Sequence, residues 1–395
     1  MTPLKIAIVV HGRFHAFDLA RELLKQGHRV VLFTNYPTWA VTLFKVPSFA
    51  VKSFWLHGIL FRIFWWCHQQ MKTPYPEKWL HLTFGRWATS ALMKERWDII
   101  HAWSGISEEV LQKLKDKKTA IFLMRGSSHI KTQSRLLEEE EKRAGTKLER
   151  PTVWMIEREE REYAFTENII VLSRFAYESF LKEGVPSQKL NILQLGADLG
   201  AFRPTQNIVE ERRQRILKGA PLRVLYVGAL SFRKGFLDLF EIIQVLKKER
   251  FQFRLVGAIS PEVSFLLKRL HNQVEIIPKQ PQEKLPLAYA WADIFIFPTI
   301  EDGYAIVLAQ AAASGLPVLS TSNCGAPDFI CEGVSGWILP IRHPKLFTER
   351  LQRCESHRQE LAEMVVRIPL KFKPRDWANV AIDFEKICRH HQKNQ

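Results

Sequence analysis

The chain has 395 residues, of which 46% are apolar, 25% charged and 11% aromatic, the balance of a globular protein with material for two domains. Its formal net charge of +16 predicts an anionic partner, but no nucleic-acid-binding motif accompanies the charge, so we expect that partner not to be nucleic acid. The five cysteines are scattered, include no Cys-x-x-Cys pair and indicate neither a disulfide framework nor a zinc site.

The first forty residues predict a strand, a helix and a second strand. An apolar run at 6–10 is followed by helical spacing of Leu19, Leu23 and Leu24, and Gly27 ends the helix. This order is typical of a parallel sheet. Because the apolar strand begins without a preceding basic region or a cleavage site, we expect no secretory leader and a cytoplasmic location.

Residues 38–76 break this pattern. They contain ten aromatic residues and no acidic one, together with the basic residues Lys45, Lys52, Arg62 and Lys72. The densest apolar part, 54–66, is shorter than the roughly 20 residues that span a bilayer. Aromatic rings at the headgroup level, with cations facing anionic lipid, favour an interfacial segment. The alternative is that the rings pack inside the first domain.

The alternation of strands and helices continues through both halves of the chain. A second series starts after a polar stretch, punctuated by Gly and Pro, near 196–222. Two separate series of alternating strands and helices predict two parallel-sheet domains that face each other, at 1–204 and 205–375. The segment 376–395 is predicted to be a helix, and the acidic block 138–141 is predicted to be a solvated helix face.

The stretch 294–317 predicts a phosphate site. A buried strand ends at Pro298 and Thr299, a Glu-Asp-Gly turn follows, and a helix is expected to begin at about Tyr304. The free amides and the dipole of a helix N-terminus bind anions, and Gly303 permits close backbone approach. The amides expected to hold a phosphate are those of Gly303, Tyr304, Ala305, Ile306 and Val307.

At this stretch the sequence resembles the retaining GT-B transferases of glycosyltransferase family 4. Their hallmark is an acidic residue, seven intervening residues and a glutamate, built around a Glu-Gly-Phe-Gly type of turn. The register places Asp302 at the first carboxylate and Gln310 at the second, so each end departs from the glutamate of the pattern. The resemblance implies that Asp302 contacts the donor sugar and that Gln310 binds the ribose.

A second motif of the family is matched by VGALSFRKGF at 227–236. It resembles the strand, loop and Lys-Gly helix start that bind the donor diphosphate, with Gly228 in the loop. The resemblance implies that Arg233 and Lys234 neutralise the diphosphate, Arg through its planar fork and Lys as a point charge, and stabilise the leaving group. The alternative is an exposed Arg-Lys pair before a glycine turn.

Two loops of the first domain complete the resemblance. HGRFHAF at 11–17 stands where the family has a Gly-rich loop near donor phosphate and acceptor, which implies close approach at Gly12. MRGSSHI at 124–130 resembles the loop whose histidine reaches the donor sugar, which implies a catalytic role for His129. The residues expected to contact the acceptor are His11, Arg13, His15 and Arg125. For the first loop, a surface cluster is the alternative.

The resemblance covers nearly the whole chain and implies an α/β fold of GT-B type. Two Rossmann-like doubly wound domains face a central cleft, and the 376–395 helix packs back on the first domain. The implied enzyme is a retaining transferase of the hexosyltransferase type. It moves a sugar from a UDP- or GDP-sugar to a lipid-linked or polysaccharide acceptor in cell-surface glycan synthesis, such as that of exopolysaccharide or lipopolysaccharide.

No cofactor is expected, and because no Asp-x-Asp occurs in the chain we expect no essential metal. The segment 38–76 is expected to hold the protein peripherally at the anionic inner face of the cell membrane. Two alternatives stay open. One is a non-catalytic GT-B-like scaffold that binds nucleotide sugar or membrane, and the other is a nucleotide-sugar epimerase.

Overall fold

The first part of the chain is built on one parallel sheet. The computed structural model describes residues 2–71, 73–114, 119–270, 272–373 and 375–393. Within them the strands of this sheet are β1 (Lys5–Val10), β2 (Arg29–Thr34), β3 (Val51–Ser53), β4 (Ile99–Trp103), β5 (Ala120–Arg125), β6 (Asn168–Val171) and β7 (Leu190–Ile192). Their order is β3-β2-β1-β4-β5-β6-β7, so the carboxyl ends of β1 and β4 flank the crevice where the order reverses.

Helices surround this sheet. They are α1 (Ala16–Lys25), α2 (Thr38–Thr42), α3 (Trp55–Met71), α4 (Glu77–Leu92), α5 (Glu108–Leu114), α6 (Ile130–Ala144), α7 (Val153–Phe165) and α8 (Arg174–Lys182). In α1 the residues Phe17, Leu19 and Leu23 are buried at helical spacing, and Gly27 follows with a φ of 87°. This confirms the predicted strand, helix and strand of the opening.

The second part repeats the plan with a second parallel sheet. Its strands, in the described residues, are β8 (Leu222–Val227), β9 (Phe251–Gly257), β10 (Val274–Pro278), β11 (Ile294–Phe297), β12 (Val318–Thr321) and β13 (Gly336–Leu339). Their order is β10-β9-β8-β11-β12-β13, which again reverses beside the first strand of the series. The predicted pair of doubly wound sheets is therefore confirmed, while a domain boundary at 204 stays a prediction.

The helices of the second part surround this sheet. They are α9 (Gln206–Leu217), α10 (Phe236–Val245), α11 (Ser264–Arg269), α12 (Leu285–Trp291), α13 (Ile306–Ala313), α14 (Pro344–Ser356) and α15 (Arg358–Lys371). The buried guanidinium of Arg212 in α9 donates to the carbonyl of Ser314 (2.9 Å) at the end of α13 and to that of Tyr289 (3.2 Å) in α12. It thereby satisfies helix-terminal carbonyls that lack partners within the helix.

The last helix, α16 (Trp377–Lys393), lies on the first sheet rather than the second. Its Phe384 is fully buried in the core of the first sheet, and Arg389 donates to the carbonyl of Thr2 (2.7 Å). The chain thus crosses between the two sheets twice. The two crossings touch each other, because Ala197 N donates to Arg375 O (2.9 Å) and a Cβ on Gly196 would lie 2.3 Å from the Asp376 carbonyl.

Helix α6 joins the two halves on another side of the molecule. Arg342, which follows β13, donates to Glu140 (3.0 Å) and Glu139 (2.7 Å). Arg143 of the same helix pairs with Asp238 of α10. The prediction of a solvated face at 138–141 is therefore wrong for Glu140, whose carboxylate is fully buried against Arg342. Glu139 also pairs with Arg342, but its side chain remains 41% exposed.

The aromatic segment divides its rings between the interior and the surface. His57 is buried and Phe54 stacks on Trp87 at 5.1 Å, as the packing alternative expected. The opposite side of α3 and the neighbouring α2 and 48–50 turn are exposed at Trp39, Leu43, Phe49, Trp55, Leu56, Ile59, Ile63, Trp65 and Trp66. Lys72 lies outside the described residues. Among the helices of the described chain, none has the length and apolar character to cross a membrane.

Candidate active site

A single cavity of about 1620 Å³ lies between the two sheets, at the carboxyl ends of their central strands. Most of the predicted site residues line it, and those that do are His11, Arg13, His15, Arg125, Gly228, Arg233, Lys234, Asp302, Tyr304, Ala305, Ile306, Val307 and Gln310. Gly12, His129 and Gly303 do not. Side chains that the sequence placed on two different domains are therefore brought to the walls of one cleft.

The phosphate turn differs in detail from the prediction. Helix α13 begins at Ile306 and not at Tyr304, because Ala305 adopts a left-handed conformation with a φ of 63°. Asp302 Oδ1 accepts hydrogen bonds from the amides of Tyr304 (3.1 Å) and Ala305 (2.8 Å). Two amides that were expected to be free are thus satisfied by Asp302. Those of Ile306 and Val307 open the first turn of α13, where no helical carbonyl precedes them.

Asp302 also faces the cation of the second motif. Its Oδ2 lies 2.6 Å from Lys234 Nζ. Burial alone would raise the pKa of the Asp302 carboxyl, but Lys234, Arg233 and the turn amides outweigh that effect and lower the pKa. The carboxylate is therefore ionised. In the cleft as it stands, the residue expected on the sugar and the lysine expected on the diphosphate neutralise each other.

Glu301 is the residue of this region that the sequence did not reveal. It is fully buried between the two halves of the molecule. Its Oε1 accepts from Ser127 Oγ (2.5 Å) and from the amide and hydroxyl of Ser128 (3.0 and 2.9 Å). Its Oε2 accepts from Gln133 Nε2 (3.2 Å) and Arg233 Nε (2.9 Å). The carboxylate therefore ties the 127–133 loop of the first half to the diphosphate motif of the second.

The electrostatics of Glu301 follow from these contacts. Burial would raise the pKa of its carboxyl, whereas Arg233, Lys234 and the serine donors together hold that pKa well below its usual range. The adjacent carboxylates of Glu301 and Asp302 thus face different parts of the molecule. Glu301 contacts the first domain and Asp302 lies in the cleft. The signal in the sequence was a Glu-Asp pair at the end of a buried strand, which does not by itself say which residue faces which way.

Gly303 is needed for the contact between domains rather than for approach to a ligand. A Cβ built on it would lie 2.1 Å from the carbonyl oxygen of Gly126 and 2.8 Å from Ser127 Cα. Separations below 3.0 Å are essentially never seen for a Cβ, and these neighbours are backbone. The predicted close approach at Gly303 therefore exists, but its partner is the opposite domain.

His129 does not reach the cleft, so its predicted place beside the donor sugar is not what the structure shows. It is the N-cap of α6 and its Nδ1 accepts from the amide of Lys131 (3.3 Å). Its ring is 2% exposed and packs against Tyr163 and Phe180, with centroids 4.9 and 4.8 Å away. Burial, with Arg125 and Lys131 nearby, lowers the pKa of His129 to about 3. It is a neutral residue of the domain interior.

Three residues of the first domain approach the cavity with different partners. Arg125 is held by Glu159 (2.8 Å) and Gln133 (2.8 Å), so it supports the 127–133 loop as well as lining the cavity. His11 packs between aromatic rings of α3 and α4, and burial lowers its pKa well below the usual range. The pKa of His15, stacked against Trp377 of α16, is lowered to about 3 by burial. Both histidines are therefore neutral.

Gly12 and Gln310 are the remaining predicted residues. Gly12 has a φ of 102° and its amide donates to Asn35 Oδ1 (2.9 Å), so it shapes the loop after β1 without lining the cavity. Gln310 is 2% exposed and its Oε1 accepts from the hydroxyl of Tyr289 (2.9 Å). The glutamine carbonyl thus accepts the hydrogen bond of the tyrosine hydroxyl, as a glutamate carboxylate would also do. The substitution at 310 changes the charge of the cleft and keeps this bond.

Residues 13–201 match the family described as Glycosyltransferase Family 4, and residues 207–368 match Glycosyl transferases group 1. The amylovoran biosynthesis glycosyltransferase AmsK of Erwinia amylovora is 27% identical over 218 residues, 52% of each chain. The lipopolysaccharide 1,2-N-acetylglucosaminetransferase of Salmonella typhimurium is 25% identical over 241 residues, 56% of this chain and 62% of that one. The chain thus spans about half the length of the curated relatives it matches.

Solved structures share the fold. The Anabaena Alr3699/HepE structure in complex with UDP aligns with a TM-score of 0.69 at 14% identity, over 98% of this chain and all of that one. At this identity the likeness concerns the arrangement of the two domains. It agrees with the two doubly wound sheets and the cleft between them.

Replacing Glu301 with glutamine is expected to lower the free energy of unfolding by about 2 kcal/mol, since Arg233 loses its partner but keeps contact with water. Urea unfolding of the two proteins measures the difference. Glu283→Gln is the matched control, because Glu283 also lines the cavity and is exposed. Equal losses in the two variants would show that the buried network contributes no stability.

Replacing Gly303 with alanine is expected to push the two domains apart, because the new methyl group cannot fit against Gly126. Small-angle scattering should report a larger radius of gyration than that of the wild type. Gly126→Ala is the control on the other side of the same contact, since a Cβ there meets nothing within 4 Å. Unchanged scattering from Gly303→Ala would contradict the assigned contact.

Proposed function

Because the chain belongs to the GT-B glycosyltransferases of the group 1 and family 4 type, we propose that it is a retaining transferase acting in cell-surface glycan synthesis. Its donor is a UDP- or GDP-sugar, its acceptor a lipid-linked or polysaccharide glycan, and the transferred group a hexose. The observation that carries this proposal is that Arg233, Lys234 and the 302–307 turn meet on one wall of a cleft opposite the loop after β1. The relatives named for amylovoran and lipopolysaccharide synthesis support the pathway.

The donor is proposed to lie along the second domain. Lys234 and Arg233 bind the diphosphate, the amides of Ile306 and Val307 bind its distal phosphate, and Gln310 faces the ribose. Arrival of the diphosphate draws Lys234 away from Asp302, and the freed carboxylate then accepts hydroxyls of the donor sugar. Two cations beside the leaving group supply the charge that a metal ion would otherwise bring, so the proposed reaction is metal-independent.

The chemistry depends on position and electrostatics. As the sugar departs, negative charge builds on the diphosphate, where Arg233 and Lys234 stabilise it. An acceptor hydroxyl enters from the first domain, along His11, Arg13, His15 and Arg125, and attacks the anomeric carbon on the face that the leaving group vacates. Its proton passes to an oxygen of the departing diphosphate. His11 and His15 are neutral and suit an uncharged acceptor sugar. They add no positive charge that would draw the diphosphate away from Arg233 and Lys234.

We also propose that the exposed apolar face of α2, α3 and the 48–50 turn binds the anionic inner face of the cell membrane. Trp55, Trp65 and Trp66 are 49%, 40% and 59% exposed, a large apolar area for a surface helix. Lys45, Lys52 and Arg62 are exposed in the same segment, and residues 38–71 contain no acidic residue. Aromatic residues beside cations are the composition of helices that lie in the headgroup layer.

A non-catalytic scaffold is the second candidate, and the pairing in the cleft favours it. Arg233 is bonded to Glu301 and Lys234 to Asp302, so both diphosphate-binding cations already have partners. A protein in which these pairs never open would not turn over a donor. Release of free nucleoside diphosphate from a sugar nucleotide, raised by Asp302→Glu with Gln310→Glu, identifies a transferase, and a complete lack of release identifies the scaffold.

UDP and GDP should raise the melting temperature of the wild-type protein, with one of them giving the larger shift. A ligand at 100 times its Kd stabilises a protein by about 2.7 kcal/mol. Lys234→Ala is expected to abolish the shift, because the diphosphate loses its point charge. Lys284→Ala, which removes an exposed lysine of the same domain, is the control and should keep it. A full shift in Lys234→Ala would place the nucleotide elsewhere.

Leu56→Ser with Ile63→Ser should weaken binding to vesicles containing phosphatidylglycerol by roughly tenfold or more, because two half-exposed side chains of α3 can no longer insert. Vesicle co-sedimentation at low salt measures the partition coefficient. The control pair Val245→Ser and Leu287→Ser removes side chains that are 64% and 75% exposed on the second domain. Equal partitioning of both double variants would refute the proposed membrane face.

A further inference from the structure

The cavity extends well beyond the region proposed for the donor. Its volume of about 1620 Å³ exceeds the roughly 300–1,000 Å³ of sites that enclose one small ligand. Beyond His15 it continues along α1 and reaches the end of α2. We call this part the α1 arm, and it is lined by Arg13, Phe14, Asp18, Arg21, Glu22, Lys25 and residues 43–45.

The α1 arm carries cations that its own carboxylates do not neutralise. Arg21 lies 2.8 Å from Asp18 and 2.7 Å from Glu22, and Lys25 lies 2.9 Å from Glu22. These contacts satisfy both carboxylates. Arg13 is left with one long contact, 3.6 Å to Asp18, and Lys45 has no ion pair among the described residues.

Arg13 and Lys45 line the same part of the cavity, and Phe44 connects them. The Arg13 guanidinium lies over the ring of Phe44, 3.9 Å from its centroid, and Phe44 directly precedes Lys45 in the chain. The ring packs in turn against the buried Phe17 of α1, with centroids 5.6 Å apart. A guanidinium and an ammonium group that line one cavity suit a phosphate, one as a planar donor and the other as a point charge.

An apolar edge borders the same two cations. Phe14 and Leu43 line the cavity and are 63% and 72% exposed. Trp39 of α2, one helical turn before Leu43, is 69% exposed and belongs to the proposed membrane face. A ligand in the arm therefore meets positive charge near the cleft and apolar side chains towards the membrane.

We propose that the α1 arm binds the phosphate of an acceptor whose sugar is joined through phosphate to a long apolar chain. This inference rests on the proposed function and adds to it the class of acceptor and the residues that recognise it. Arg13 and Lys45 bind the phosphate, and Phe14, Leu43 and Trp39 receive the start of the chain. The sugar then points past His15 towards the donor, and the rest of the chain enters the bilayer beside α2 and α3.

Farnesyl diphosphate, farnesol and inorganic diphosphate are the probes. Calorimetric titrations use the full chain with saturating UDP, so that the donor site is closed to them. Farnesyl diphosphate should bind at least tenfold more tightly than either of the other two, because it alone combines both features of the arm. The double variant Arg13→Gln, Lys45→Gln should bind it roughly tenfold more weakly and bind UDP as the wild type does.

Two control variants, the arm variant and the farnesol titration decide the result. Lys94→Gln with Arg96→Gln, an equal charge change at exposed positions outside the cavity, should bind farnesyl diphosphate like the wild type. The double variant Leu56→Ser, Ile63→Ser should also bind farnesyl diphosphate like the wild type, although its binding to vesicles is weakened. This result would separate the α1 arm from general lipid binding. If the Arg13→Gln, Lys45→Gln variant binds farnesyl diphosphate as tightly as the wild type does, the proposal is overturned. It is also overturned if the wild-type protein binds farnesol as tightly as farnesyl diphosphate. Failure of UDP to bind refutes the donor site instead, and titration without UDP still tests the arm.

Discussion

The carboxylate of Glu301 is fully buried between two domains. A buried charge is stable only when an opposite charge and hydrogen-bond donors satisfy both of its oxygens. The structure meets this requirement with hydroxyls and an amide from one domain and a guanidinium from the other. The consequence is that the diphosphate motif and the 127–133 loop cannot be positioned independently. Arg233 is oriented for the cleft by the same bond that sets the relative position of the two halves.

The cleft as described is electrically balanced without a ligand. Lys234 and Asp302 satisfy each other at 2.6 Å, and Asp302 also caps the turn before α13. In the proposed reaction, the incoming diphosphate competes with a carboxylate for one ammonium group, so part of its binding energy goes into opening that pair. The freed Asp302 carboxylate is the group that we propose contacts the sugar. Binding of the nucleotide and presentation of the sugar contact are, on this proposal, two results of one exchange.

The sequence was sufficient for what depends on local pattern. The two series of strands and helices, the turn at 302–307 and the Arg-Lys pair at 233 and 234 each follow from spacing within about fifteen residues, and the structure places them together. It was insufficient where distant residues decide the outcome. Ser127 and Glu301 are 174 positions apart, and no spacing relates them. His129 occupies the expected loop, yet its ring turns inward because it caps α6 and fills a gap between Tyr163 and Phe180.

The paired crossings near Gly196 and Asp376 determine how such a molecule can move. Two chain segments that run side by side and are hydrogen-bonded to each other favour rotation of the domains about that line over sliding. The Glu301 network and the Arg342 contacts join the domains elsewhere, so any such rotation has to break those contacts first. A rotation displaces each group in proportion to its distance from the paired crossings, so the far end of the cleft widens most and the residues beside α16 move least. In the proposed membrane orientation, an acceptor therefore enters a cleft whose fixed edge is the C-terminal helix.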